Sequence, residues 1–427
     1  MKVPALDREI GIEVYATKTR GIGGRIRHFP DDFKVGEILN DGSKAQIEPQ
    51  SPNKISERGR YLLCGLVKRN LDTILAVQEI AEKLRIDPER IQIAGIKDAR
   101  ALTAQHITIS RMLPQEVTRT EFASLRLYPI RFSNEKMNSS LLFGNHFSIT
   151  IRNITQSSRL IHERTERVVK ELAGLGGCPN FFGHQRFGTI RPITHLVGKH
   201  ILLGEWKEAA LTFLAKPSPH EHPESRQVRE RLWSTQNYKE ALQDFPFKLL
   251  YERRMLNHLA RRSGDFIGAF HRLPQKLCQL FVQAYQSYLF NRFLSHRIQK
   301  HLSLRETGAG EYTIRIGDEK LLALPLIGYR QSLSAGGQSE IEKQILDMEC
   351  VQPERFRIHG MEKISSSGGL RSALTPLIAF QTAKSMQDSS SPEKRMTSLE
   401  FDLRKGSYAT VVLRELMKPE DSAAAGF

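Results

Sequence analysis

Strand-like and helix-like stretches follow one another along this chain without a regular strand–helix–strand rhythm. A doubly wound parallel sheet needs a crossover helix after nearly every strand, so the irregular order favours an α+β fold. Ile107 and Ile109, Tyr312 to Ile316 and Leu399 to Leu403 alternate as strands do. Helical spacing shows in Ile74, Val77, Ile80, Ala81 and Leu84 after a cap at Asp72-Thr73. A second short start lies at Asp87-Pro88-Glu89, with proline at the first helical position. Residues 158–175 carry Leu160, Ile161, Val168, Val169 and Leu172 on one side, stopped by Gly174, Gly176 and Gly177. The stretch 203–265 reads as charged helix, Leu277 to Leu289 as a long buried helix, and Gly406 to Met417 as a last helix. Residues 304–350 read as strand and turn, Ser365 to Gly369 and Met386 to Lys394 as loops, and the tail from Ser422 to Phe427 as frayed. Gly21 to Arg25 lacks the full phosphate-loop fingerprint and reads as a simple turn.

At 427 residues the chain is long enough for two domains. Lys and Arg number 63 against 47 Asp and Glu, a net charge of +16. That excess favours a polyanionic partner, because each phosphate neutralised releases condensed counterions. No 18-residue apolar run is present, which argues against a membrane-spanning helix. The first ten residues are too charged for a secretory signal, and Cys64, Cys178, Cys278 and Cys350 are far apart. Both features point to reduced, mostly buried thiols in a cytoplasmic protein. His195, His200, His220 and His222 lack the spacing and companions of metal ligands, so no metal is expected.

The run Ala94-Gly-Ile-Lys-Asp98-Ala-Arg100-Ala-Leu-Thr103-Ala-Gln105 places one carboxylate among basic residues. Ile91, Ile93 and Ile96 bring an extended, buried-looking stretch up to Asp98, and a strand follows after a turn. Such a loop can hold an exposed catalytic side chain on a rigid frame. In isolation the same aspartate is just as readable as a turn cap. Cys178 to Gly188 is rich in aromatics and turn formers, and most phenylalanines are buried.

Together with these runs, Phe29 to Glu37 and Lys405-Gly-Ser-Tyr-Ala-Thr-Val-Val-Leu-Arg-Glu415 resemble the motifs of the pseudouridine synthase D family, which includes eukaryotic relatives. Phe143 to Arg152 and Ala284 to Asn291 support the likeness, which runs from about residue 20 to 417. Gly188-Thr-Ile-Arg-Pro-Ile-Thr-His195 is more similar to the archaeal and eukaryotic branch, and Arg404-Lys405 departs from the usual residues before Gly406. The resemblance implies a catalytic domain with a mixed, largely antiparallel sheet flanked by helices, formed by residues 1–202 and 359–427. A family-specific α/β domain would be inserted at 203–358, with RNA in the cleft between the two.

The resemblance also implies that Asp98 is the catalytic nucleophile or base on a flipped-out uridine. Asn180 and Phe182 would meet the target base, Phe182 by stacking, while Phe181 and Phe187 join the core. Lys97 and Arg100 would contact RNA, though neighbours on an extended segment point apart, so Lys97 need not touch Asp98. Gln185 and Arg186 would brace the site or meet phosphate, and Phe33 and Glu37 would lie near it. RNA is the expected partner, above all transfer RNA at a D-arm uridine, with no cofactor, membrane or obligatory protein partner. A non-catalytic RNA-binding module and a base-flipping glycosylase or nuclease are the competing readings.

Overall fold

The computed structural model describes residues 1–49, 55, 59–317 and 319–427. Six strands come first: β1 (Phe33–Leu39), β2 (Tyr61–Arg69), β3 (Ile91–Ile93), β4 (Leu102–Ser110), β5 (Leu125–Ser133) and β6 (Leu142–Ile154). Short pieces follow at β7 (Cys178–Pro179), β8 (Thr313–Ile316), β9 (Glu319–Leu326), β10 (Gly369–Ser372) and β11 (Leu374–Thr375). The last three strands are β12 (Ile378–Thr382), β13 (Met386–Asp388) and β14 (Ser391–Arg404). A nine-stranded sheet runs β12-β14-β6-β1-β4-β2-β5, with β13 beside β14 and β3 beside β4. The β1–β4 pair is parallel, and every other pair in this sheet is antiparallel. The expected α+β fold with a mixed, largely antiparallel sheet is therefore the one observed.

Helix Thr73–Leu84 begins where the Asp72 carboxylate accepts the Ile74 N–H at 2.7 Å and ends at Arg85 in the left-handed region. It buries Ala76, Ile80 and Ala81 against Leu62, Cys64 and Ile107 of the sheet. Ile74, placed on the apolar face by spacing alone, is instead 53% exposed. Helix Ser158–Leu175 forms over the expected span and buries Ile161, Val168 and Leu172. The 25-residue helix Gln275–Gln299 packs on helix Thr194–Leu203, where a Cβ on Gly198 would sit 2.1 Å from the Phe281 carbonyl oxygen. That close approach requires glycine. Cys64, Cys178 and Cys278 are buried, and Cys350 is exposed. No helix among the described residues is long and apolar enough to cross a membrane.

Four further local expectations fail. Helix Gly336–Glu349 occupies part of the stretch read as strand and turn, burying Ile341, Ile345 and Leu346. Met386 to Lys394 holds a β-hairpin rather than a loop. Ile96 is 65% exposed, because the chain leaves the sheet after Ile93. The tail is packed, with Ser422, Ala425 and Phe427 buried.

The tail is fastened by a buried ion cluster. Asp7 accepts hydrogen bonds from His184 Nε2 at 2.9 Å, from Ser422 Oγ at 2.6 Å and from Arg414 Nε. Burial raises the Asp7 pKa, but the His184 hydrogen bond and the Arg414 charge outweigh it and leave it at about 2, against an ordinary 3.8. This carboxylate contributes about 2 kcal/mol that is complete above pH 3.8 and vanishes as the pH falls through about 2. Asp7→Asn is expected to remove on the order of 3 kcal/mol at neutral pH, read from urea unfolding, and to flatten the acid limb of stability between pH 4 and 2.

Candidate active site

Asp98 lies in the turn between β3 and β4, its side chain 34% exposed. Its Oδ2 accepts from Arg27 Nη2 and from Gln185 Nε2, each at 3.0 Å. Among the described residues Oδ1 has no hydrogen-bond partner and stays open to a substrate. Arg27, in the left-handed region at φ 54°, is itself fixed: its guanidinium lies 4.1 Å from the Phe33 ring centre and Nη1 donates to the Gly426 carbonyl at 3.1 Å. Burial lowers the Arg27 pKa, partly offset by the Asp98 charge.

A second cation supports the turn from behind. Lys68 Nζ donates to the carbonyls of Leu71 at 2.7 Å, Asp98 at 2.9 Å and Lys97 at 3.4 Å. The Thr73 hydroxyl accepts the Lys97 N–H at 3.0 Å. Burial depresses the Lys68 ammonium to about 8. Lys97 points away from Asp98, as alternation on an extended segment allows. Its ammonium meets Asn145 Oδ1 at 2.7 Å and Glu37 Oε1 at 2.9 Å. Glu37 is fully buried and its other oxygen accepts the His106 N–H at 2.8 Å. Glu37 and Lys97 therefore form an ion pair beneath the turn, and Lys97 also borders the hollow onto which Asp98 opens. Arg100 is exposed.

Asp98 opens on a recess of about 270 Å³ bordered by Phe33, Ile96, Phe147 and Tyr408, with Asn145 and Thr410 as polar wall. The volume sits just below that of drug-sized pockets and suits a small planar group. Tyr408 precedes helix Ala409–Met417, whose first residues, Ala409 and Thr410, border the recess. The Thr410 hydroxyl is buried against Gly183 without a hydrogen-bond partner among the described residues.

The Asn180 to Gly188 run packs beside the recess. Asn180 Oδ1 accepts from Arg371 Nη2 at 2.7 Å and its Nδ2 donates to Ser372 Oγ at 3.0 Å, so this amide touches neither Asp98 nor the recess. Phe182 is 8% exposed and stands one ring back from the recess, edge-on to Tyr408 at 6.1 Å. Arg371 covers one face of its ring at 3.9 Å, with Phe290 edge-on at 5.5 Å. Its backbone is read on both sides by Asn291, which accepts the Phe182 N–H at 2.8 Å and donates to its carbonyl at 3.0 Å. Phe181 and Phe187 are core residues as expected. Arg186 donates to Ser287 Oγ at 3.1 Å and Gln283 Oε1 at 3.2 Å, bracing the loop on the long helix. The rings at Asp98 are thus Phe33, Phe147 and Tyr408.

Arg27, Lys68 and Arg371 escaped sequence reasoning. Each is a lone basic residue, indistinguishable by type from the many solvated ones. Asn145, Thr410 and Asn291 did lie within the motif runs, where their exact register was the available signal.

A carboxylate gripped by a cation and an amide at the mouth of a small recess, within an α+β frame, is the arrangement of an enzyme. The model of the family "tRNA pseudouridine synthase D (TruD)" matches residues 9–321 and 317–416, and the chain belongs to that family. A Methanosarcina barkeri protein named "Probable tRNA pseudouridine synthase D" is 37% identical over 446 residues, covering 98% of both chains. A Methanopyrus kandleri protein of the same name is 38% identical over 387 residues, covering 90% of this chain and 91% of its own. The crystal structure of a Methanosarcina mazei protein bearing the family name superposes with a TM-score of 0.82 at 35% identity, covering 98% of this chain and 99% of the other.

Two outcomes follow from this geometry. Glu37→Gln leaves the Lys97 ammonium buried without its counter-charge and is expected to cost about 3 kcal/mol in urea unfolding. Arg27→Met removes one of the two grips on the Asp98 carboxylate and is expected to slow single-turnover chemistry of the folded protein about 10²-fold.

Proposed function

We propose that this chain isomerises a uridine of transfer RNA to pseudouridine, with Asp98 acting on a base flipped out of its stack. The observation that carries the reading is the Asp98 carboxylate itself: one oxygen is held by Arg27 and Gln185, and the other is open at the recess. The reaction breaks the bond between ribose C1′ and N1, turns the base and joins C5 to C1′. A proton leaves C5 and N1 regains one, so no electrons or groups are exchanged with a cofactor. Asp98 Oδ1 is positioned to attack the ribose or the base, or to take a proton first. Phe33, Phe147 and Tyr408 offer the freed ring an apolar slot, with Asn145 as a polar wall beside it. The default target is a D-arm uridine, on the strength of the family.

The division into a catalytic domain (1–202 and 359–427) and an insert (203–358) belongs to the same proposal. It is supported by the large sheet, whose strands come only from residues 33–154 and 378–404. The small sheet crosses the second boundary, since β10 at Gly369–Ser372 pairs with β9.

Asp98→Asn keeps the side chain's size and its contacts with the Gln185 and Arg27 region while removing the nucleophile. Incubated with an unmodified tRNA transcript, it is expected to bind within about threefold of the native protein and to lose at least about 10³-fold in pseudouridine formation. Undiminished product would remove Asp98 from the chemistry. Release of free uracil by the native protein would make the chain a glycosylase instead.

A further inference from the structure

Helix Leu250–Arg261 and its flanks carry a second basic feature, sharing no residue with the Asp98 recess. A hollow of about 310 Å³ is lined by Arg254, Asn257, His258, Arg261, Arg262 and Arg272, without a carboxylate in its wall. The floor is built. His258, 9% exposed, has Nε2 2.9 Å from the Asp265 carboxylate, and its Nδ1 accepts from Arg272 Nε at 3.3 Å. With Nε2 donating to Asp265, Nδ1 is left as the acceptor, so the imidazole holds Arg272 at the hollow. Asp265 is further tied to the Gly268 N–H at 2.8 Å. Among the described residues Arg254, Arg261, Arg262 and Arg272 have no carboxylate within the 4.0 Å of a salt bridge. Four guanidinium groups thus crowd one hollow with a single carboxylate nearby, Asp265, which feels the Arg262 charge from beside His258, so positive charge remains in excess there.

Exposed rings stand on the same helix and the segment before it. Phe247 is 82% exposed, and Tyr251 is 44% exposed. The Arg253 guanidinium lies 4.6 Å from the Phe247 ring centre and is pinned by the carbonyls of Leu242 at 2.8 Å and Phe245 at 2.6 Å. One face of Phe247 is thus backed by a fixed cation and the other is open. Arg254 leans over Tyr251 at 5.9 Å. An apolar protein partner would match the rings but not the arginines, and an anionic membrane would match the arginines without needing a backed ring. A strand with both phosphates and planar bases matches both.

We infer that this face is a second RNA-contact surface: Arg254, Arg261, Arg262 and Arg272 take phosphates, and an unpaired base stacks on Phe247. The inference rests on the proposed action on tRNA and extends it to a part of the RNA away from the reacting uridine. The test is binding of an unmodified tRNA transcript, and of its excised D-arm hairpin, across a salt series. The double variant Arg254→Glu, Arg261→Glu is expected to weaken tRNA binding about tenfold and to lower the log–log salt slope by about 2. Phe247→Ala is expected to weaken it about tenfold with the slope unchanged. Affinity for the hairpin is expected to stay at the native value in both. Arg159→Glu with Arg226→Glu, at arginines already paired with Glu163 and Glu230, makes the same change in net charge and controls for it.

Native-like binding and slope in the patch variants, with pseudouridine still formed by the native protein, would overturn this surface alone. An equal loss in the charge control would overturn it too, as would weakened binding to phosphatidylserine vesicles with tRNA binding intact. A native protein that neither binds nor modifies tRNA would overturn the proposed function and this surface together.

Discussion

Asp7 is a fully buried carboxylate near the start of the chain that holds three other segments. His184 belongs to the aromatic run of the middle motif, Arg414 to the last helix and Ser422 to the tail. Buried charge is tolerated only when its partners are all in place, so this contact ties three segments to one geometry. The consequence reaches Asp98 by two routes. His184 is followed by Gln185, which grips the Asp98 carboxylate. The packed tail ends beside Gly426, whose carbonyl anchors Arg27, the other group on that carboxylate.

The site is therefore assembled from pieces that none of the local elements could hold alone. Phe33 and Glu37 come from β1, Asn145 from β6, Lys68 from β2 and Thr410 from the last helix. The parallel β1–β4 pair puts the strand that follows Asp98 directly beside the strand carrying Phe33. Beneath the turn, Lys68 and the Lys97–Glu37 pair satisfy backbone carbonyls and charge that burial would otherwise leave unmet. Rigidity below and one free oxygen above suit the role proposed for Asp98.

Much of the fold was legible because amphipathic spacing is strong in long elements. Residues 158–175 and the helix running through Leu277 to Leu289 stand where their apolar positions put them. Helix Gly336–Glu349 was hidden by its start: two glycines and no capping side chain look like a turn. The tail reads as frayed because three alanines and a glycine carry no periodic signal, yet Asp7 and the core hold it. Ile96 follows the spacing of buried neighbours, but spacing cannot show where a strand ends. In the site, the motif runs located Asp98, Gln185 and Phe33 together. They could not show that Asn180 is occupied by Arg371, or that Phe182 lies beneath that guanidinium rather than at the recess. Those are relations between residues some 190 positions apart and have no local trace.

The family membership, the +16 charge and the geometry at Asp98 converge on one activity in the cell. The most direct measurement is a nucleotide-by-nucleotide pseudouridine map of transfer RNA from cells with and without this gene. The account predicts that a D-arm uridine is pseudouridine in the first and plain uridine in the second, with the rest of the map preserved. Identical maps would contradict it.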